Sequence, residues 1–455
     1  MKRLSAFWSS GMRGSLGVQL GGQATQIFIQ LATIPVFVSA WGVANYGVWL
    51  VLFAIPAYLT IGDLGLTHAG ANIVVQKMSR GDRDAAIASY QALRTMVATL
   101  SFAIAVIALV VLGAFFPNLL RFADYATGNR SLATAMLLVC HGLAGLQIGV
   151  VYSGFRALDR FVPCGYAVLV IFLAEALVAL CLALSGFGLF AVACAYSAVR
   201  VAGYLALAAA LRAISPEFAK HRTTHLKAHF REIWIPASAG LALPIAGATV
   251  TQGIIIAIAA GGGTTAVPLF TTMRTLARVP AQLTQIVSRA AMPVLTVADA
   301  KGERTRRAEL VMMMVIASVV VLIPGTLAII SIGPFFVEFW TLGKISPAYL
   351  LALVIGISAL CNGCWQQMGD LLLAINKHGL YALFYLAAAV ILVAAAYPLT
   401  RLFGVAGAAS AIAALDVIML AWMFFLCRRL GFFAPAELRH SWKSIRNRLY
   451  SWWQK

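Results

Sequence analysis

Between about residue 14 and residue 427 the chain is a succession of twelve apolar segments of bilayer length, parted by short polar turns. Crossing a hydrocarbon core about 30 Å thick takes about 20 apolar residues in a helix. Lipid offers no partner for an unpaired backbone N–H or C=O, so segments of that length predict transmembrane helices. Composition agrees, since 62% of residues are hydrophobic and only 11% charged, whereas a soluble domain carries about 25% charge. The predicted fold class is an all-α polytopic membrane protein with about twelve transmembrane helices.

The charge is strongly biased, with 34 Lys and Arg against 15 Asp and Glu, for a net +19. In a soluble chain such an excess would suggest a nucleic-acid partner. Its placement argues against one. Twenty-six of the 34 cations fall on one set of ends and turns, four on the opposite set (Arg121, Arg130, Lys344, Arg401), and four inside spans (Arg200, Arg274, Arg278, Arg289). By the positive-inside rule the richer side, with both termini, is cytoplasmic. Met1–Arg13 reads as a basic leader before a self-anchoring first span. The tail Leu438–Lys455 mixes Arg and Lys with Trp442, Trp452 and Trp453, as suits a helix lying on anionic membrane lipids.

Residues 213–232 are the longest polar stretch between spans and divide the chain. The expected organisation is an N-terminal lobe of six helices (1–212), a cytoplasmic linker (213–232), a C-terminal lobe of six helices (233–427) and a basic tail (428–455). A weak repeat at an offset of about 221 residues pairs Gly81-Asp82 with Gly302-Glu303, and Arg156 with Lys377. Two halves entered from the same side predict repeats related by an axis along the membrane normal, with a cavity between them.

Val267–Thr296 holds the most informative polar pattern. At about 100° per residue, Arg278 falls about 40° around the helix from Arg274, Arg289 about 60°, Gln285 about 20° and Gln282 about 80°. An arginine facing lipid at mid-membrane costs at least about 2.5–3.5 kcal/mol, so such a stripe is expected to line a protein interior or a wet cavity. The sequence has no matching acidic stripe, which predicts an anion as the ligand. Capping of helix-end carbonyls, or pairing with Asp370 or Asp416, is the competing explanation.

Other intramembrane polar residues follow helical spacing. Gln19, Gln23, Gln26 and Gln30 share one face, as do His68, Asn72 and Gln76, and Asn362, Gln366 and Asp370. Either a cavity lining or interhelical hydrogen bonding accounts for them. Asp63 lies off the His68 line, as a site residue or a helix-junction partner. Glu175 and Arg200 are placed to pair across one hairpin; otherwise Arg200 is a fourth cavity cation. Should transport be coupled to H+ or Na+, Asp63, Asp370 and Asp416 are the expected carboxylates; no other cofactor and no metal site is expected. Cys361 and Cys364 have metal-site spacing without a second pair, and His221, His225 and His229 sit on a basic linker without acidic partners, so both sets read as structural.

Tyr46-Gly-Val-Trp49, Asp63-Leu-Gly-Leu66, the Gly81-Asp82 turn, Pro293 before Gly302-Glu303, and Leu373-Ala-Ile-Asn-Lys377 come in an order and spacing that resembles the Wzx-type polysaccharide and O-antigen flippases of the multidrug/oligosaccharidyl-lipid/polysaccharide exporter superfamily. The resemblance implies two six-helix lobes in a V around a central cavity, as in MATE-type exporters, and a place in the bacterial inner membrane. It also implies undecaprenyl-diphosphate-linked oligosaccharide as cargo, moved to the outer leaflet, with glycan polymerase and glycosyltransferases as partners. Arginine forks match a diphosphate, and amides suit sugar hydroxyls. Two other classes compete. A cation-coupled multidrug exporter of the same fold would carry acids where this chain carries arginines, and a non-transporting scaffold of the glycan assembly machinery would need no polar midplane. No paired-carboxylate, Ser–His or metal constellation suggests an enzyme.

Overall fold

The computed structural model describes residues 10–59, 65–119, 129–219, 230, 232–233, 241–375 and 377–432. Its elements are all helical: α1 (Ser10–Leu59), α2 (Leu66–Ser79), α3 (Arg83–Leu119), α4 (Asn129–Ala157), α5 (Phe161–Leu184), α6 (Leu189–Ile214), the single turn α7 (Pro216–Ala219), α8 (Ala242–Gly262), α9 (Ala266–Ala300), α10 (Arg304–Trp340), α11 (Tyr349–Ala374) and α12 (Gly379–Arg429). Nine stretches among the described residues are long and apolar enough to cross a membrane. Large apolar side chains point outward along them, such as Phe102, Phe339 and Leu383, each 73% exposed. In water such a surface would drive association; in lipid it is the solvated face. This is a multi-pass membrane protein.

Besides the single turn α7, two helices fall outside that set for different reasons. The 14 residues of α2 are too few, whereas the 35 of α9 are ample but carry the arginines and amides of the stripe. Conversely, α12 is 51 residues long and breaks at Gly404 (φ 63°, ψ −153°). At about 1.5 Å per residue an unbroken rod of that length would be far too long for one crossing.

The chain forms two compact units, Met1–Thr265 and Ala266–Lys455. Within the first, α1 lies on α5 so closely that a Cβ on Gly165 would come within 2.7 Å of Val18 Cγ1, the close approach that small residues permit between membrane helices. Leu93, Val97, Val74, Phe155 and Leu211 fill the core between α2, α3, α4 and α6. Both ends of the linker dock on this unit. Phe218 and Ile233 are fully buried, Lys77 pairs with Glu232 at 2.7 Å, and Arg83 pairs with Glu217 at 3.1 Å. His221, His225 and His229 lie outside the described residues. In the second unit Pro280 of α9 presses on Gly325 of α10, where a Cβ would meet the proline ring at 2.5 Å.

The repeat is written in the backbone. The break inside α1 is at Gly42 (φ 79°, ψ 168°), and the break after α8, 221 positions on, is at Gly263 (φ 80°, ψ 171°). The turn closing α2 puts Gly81 at φ 81°, with its N–H donated to Met78 O and the Asp82 N–H to Lys77 O. The turn closing α9 puts Gly302 at φ 69°, donating to Asp299 O, with the Glu303 N–H donated to Ala298 O. The turns at Gly81 and Gly302 are the same helix stop, and all four positions have a positive φ that glycine adopts without a Cβ clash.

Candidate functional site

In the second unit, α9 packs on α11 through its amide edge. Gln285 Nε2 donates to Gln366 Oε1 at 2.6 Å, and Thr296 Oγ1 donates to the Ala374 carbonyl at 3.0 Å. Gln282 is buried, with 6% of its surface exposed. On the same face, Arg278 is exposed and Arg274 half-buried. Arg274 lies over the Phe270 ring at 5.6 Å, within cation–π range. The Arg289 side chain lies outside the described residues. The stripe therefore straddles the margin of the packed interior.

Asp416, on α12, is 2% exposed. Its oxygens accept from Ser358 Oγ at 2.5 Å, Asn362 Nδ2 at 2.9 Å and Trp365 Nε1 at 2.9 Å. The three donors come from one face of α11, at steps of four and three. A buried carboxylate without such donors would be very costly. Asp416, Arg274, Arg278 and the buried Tyr385 hydroxyl form one electrostatic neighbourhood. Arg274 interacts electrostatically with both Asp416 and Arg278, and no described carboxylate lies within ion-pairing distance of Arg278. Asp370, half-buried on the same helix as those three donors, neighbours Tyr381. Among the described residues no group of His, Cys, Asp and Glu could hold a metal ion.

The first unit treats its cation differently. Arg200 on α6 forks onto Glu175 on α5, Nη2 reaching Oε2 at 2.5 Å and Nε meeting Oε1. Arg200 is 8% exposed and Glu175 0%. Of the two arrangements open from sequence, the geometry gives the ion pair rather than a cavity cation. Arg200 also lies over the Phe172 ring at 4.4 Å. His141, from α4, joins with Nε2 at 3.4 Å from Glu175 Oε2.

The remaining polar residues divide. Along α1, Gln26 is exposed, Gln23 and Gln30 are half-buried, and Gly17, Val18, Gly21 and Gly22 on the other side face α5. The amide face is turned away from the packed seam. Asn72 is exposed and accepts from Arg156 Nη2 at 3.3 Å, tying α2 to the end of α4. Asp63 and the side chains of Gln19 and His68 lie outside the described residues. Sequence reasoning missed His141, Ser358, Trp365 and Tyr385. The Ser358–Asn362–Trp365 spacing was the available signal; a lone His141 in an apolar helix offered none.

No family model and no curated protein matches the sequence. Solved structures do. The lipid II flippase MurJ, in an inward closed conformation, aligns with a TM-score of 0.66 at 12% identity, over 94% of this chain and 90% of that one. The MATE multidrug transporter DinF-BH aligns at 0.65 and 15%, over 93% and 97%. An inward-facing multidrug resistance MATE family transporter of the MOP superfamily aligns at 0.60 and 14%, over 90% and 95%. The fold is that of the MATE transporters and MurJ. At such identities the likeness carries the MATE-like fold and no cargo.

Proposed function

We propose that the chain is a flippase that moves undecaprenyl-diphosphate-linked oligosaccharide from the cytoplasmic to the outer leaflet of the bacterial inner membrane by alternating access, with both termini cytoplasmic. The observation that carries this reading is the pair of arginines one helical turn apart on α9, of which Arg278 has no described carboxylate within ion-pairing distance. Arg278 is exposed and Arg274 half-buried, and Asp416, near Arg274, accepts from three donors. Two guanidiniums one helical turn apart suit a diphosphate, whose oxygens accept forked hydrogen bonds. A cationic drug would be repelled there. The fold supports the reading from both sides, because it is shared by multidrug transporters and by a lipid II flippase; the sign of the site charge favours the second. No enzymatic step is assigned to the chain.

Deleting the protein should strand lipid-linked oligosaccharide on the inner leaflet and abolish surface glycan, without sensitising cells to cationic dyes. Topologically resolved labelling of the lipid-linked pool measures this directly. Intact surface glycan with new dye sensitivity would instead establish the multidrug exporter.

A further inference from the structure

The transport reading leaves one buried charged cluster unused. We propose that His141, Glu175 and Arg200 form a proton-binding site in the first unit, which, on that reading, carries the coupling ion of the cycle.

The ion pair alone would not say so. A Glu–Arg pair is already neutral, and its burial is accounted for by one hydrogen bond and a second close ionic contact between the partners. The third member is what structure alone does not require. His141 is 7% exposed and balances no charge, yet its Nε2 lies 3.4 Å from Glu175 Oε2, the oxygen that Arg200 Nη2 also occupies. For that contact to attract, Nε2 must carry a hydrogen, so an imidazole proton points at the carboxylate. Histidine is the side chain whose ordinary titration range spans about pH 5 to 8.

The three groups come from three helices. Glu175 is on α5, Arg200 on α6 and His141 on α4, and the surround is aromatic. Tyr196, one turn before Arg200, stacks on the His141 ring at 4.4 Å, Phe53 of α1 lies 6.1 Å from it, and Phe172 covers the guanidinium. Among the described residues the charged and titratable groups facing His141 are Glu175, Arg200 and Tyr196.

The charge balance then has two states. With one proton on Nε2 of a neutral imidazole, the cluster is neutral and the fork is closed. A second proton, whether it stays on the imidazole or passes to Glu175, leaves the cluster at +1. On Glu175 it removes the anion that Arg200 binds, and an uncompensated guanidinium in a low-dielectric interior is costly. The α5–α6 hairpin relieves that cost by letting Arg200 go. Proton binding is thereby converted into helix rearrangement.

The test uses the full chain in lipid nanodiscs, without cargo, followed by infrared difference spectroscopy from about pH 8 to about pH 5. The wild type should show a protonated-carboxyl stretch and an imidazolium signal that rise together. In Glu175→Gln/Arg200→Gln, which leaves a neutral pair, the carboxyl stretch should be missing and the imidazolium signal should no longer rise in step with it. Identical difference spectra for the wild type and the double variant would overturn the proposal. Should the double variant fail to fold, His141→Leu leaves the fork intact; it should remove the imidazolium signal and displace the carboxyl midpoint by about one pH unit, tenfold in proton affinity. An unchanged midpoint with no imidazolium signal lost would equally refute the site. Since no glycan is present, failure here leaves the flippase reading standing, and failure of that reading leaves the titration standing.

Discussion

The two units handle intramembrane arginine in opposite ways. In the first, Arg200 is answered by a carboxylate of its own, forked onto Glu175 and nearly sealed from its surroundings. In the second, Arg274 and Arg278 share the neighbourhood of Asp416, and that carboxylate is engaged by Ser358, Asn362 and Trp365. One arrangement neutralises its cation inside the fold; the other leaves Arg278 exposed, with no described carboxylate within ion-pairing distance. The lesson is that an arginine in an apolar helix is not a binding residue by virtue of being there. What decides is whether the fold supplies its anion.

The largest expected effect breaks the self-neutralised side. Arg200→Gln leaves Glu175 buried without its partner and should cost about 3–5 kcal/mol, seen as loss of membrane-inserted protein. Glu175→Gln/Arg200→Gln should restore most of it, because no charge is then stranded. Thermal unfolding in detergent compares the two. If Arg200→Gln is as stable as the wild type, the pair does not support the unit.

Next is the packing under the arginine helix. Gly325→Leu drives a side chain into Pro280, where even a Cβ would sit at 2.5 Å. It should destabilise the second unit by about 1–3 kcal/mol and reduce transport by displacing α9. Normal thermal stability in this variant would contradict the close seating of α9 on α10.

A comparable loss is expected at the carboxylate of the second unit. Asp416→Asn keeps the volume but cannot accept three hydrogen bonds as a carboxylate does, and should cost about 1–3 kcal/mol. It also raises the positive charge beside Arg274, so anion affinity should be kept or strengthened. Were Asp416 instead a required coupling carboxylate, the variant would be stable and fully inactive. The smallest effect belongs to Gln285→Ala, which breaks the amide pair with Gln366 and should cost about 0.6–2 kcal/mol, measured by a thermal shift.

Much of this was legible in the sequence, for physical reasons that differ by residue. Span lengths follow from bilayer thickness, and the Arg274–Gln285 face follows from the helical period. The turns at Gly81 and Gly302 were visible because glycine at a left-handed helix stop leaves a local trace. The breaks at Gly42 and Gly263 were not visible, because their shared geometry lies in φ and ψ while their flanking residues differ. Pairing across helices was harder still. Gln285 meets Gln366 across 81 positions and His141 meets Glu175 across 34, and helical phase within one segment says nothing about which segment lies opposite. For the same reason the periodicity that grouped Asn362 with Gln366 could not show that Asn362 is spent on Asp416.

The central claim is that the arginines of α9 receive an anion. The most direct measurement is surface glycan together with membrane-inserted protein in cells carrying Arg274→Gln/Arg278→Gln/Arg289→Gln, beside the matching lysine variant. The account predicts that the glutamine variant is inserted at the wild-type level and displays no glycan, while lysine, which keeps the charge but loses the fork, displays an intermediate amount. Full glycan display from the triple glutamine variant would contradict it.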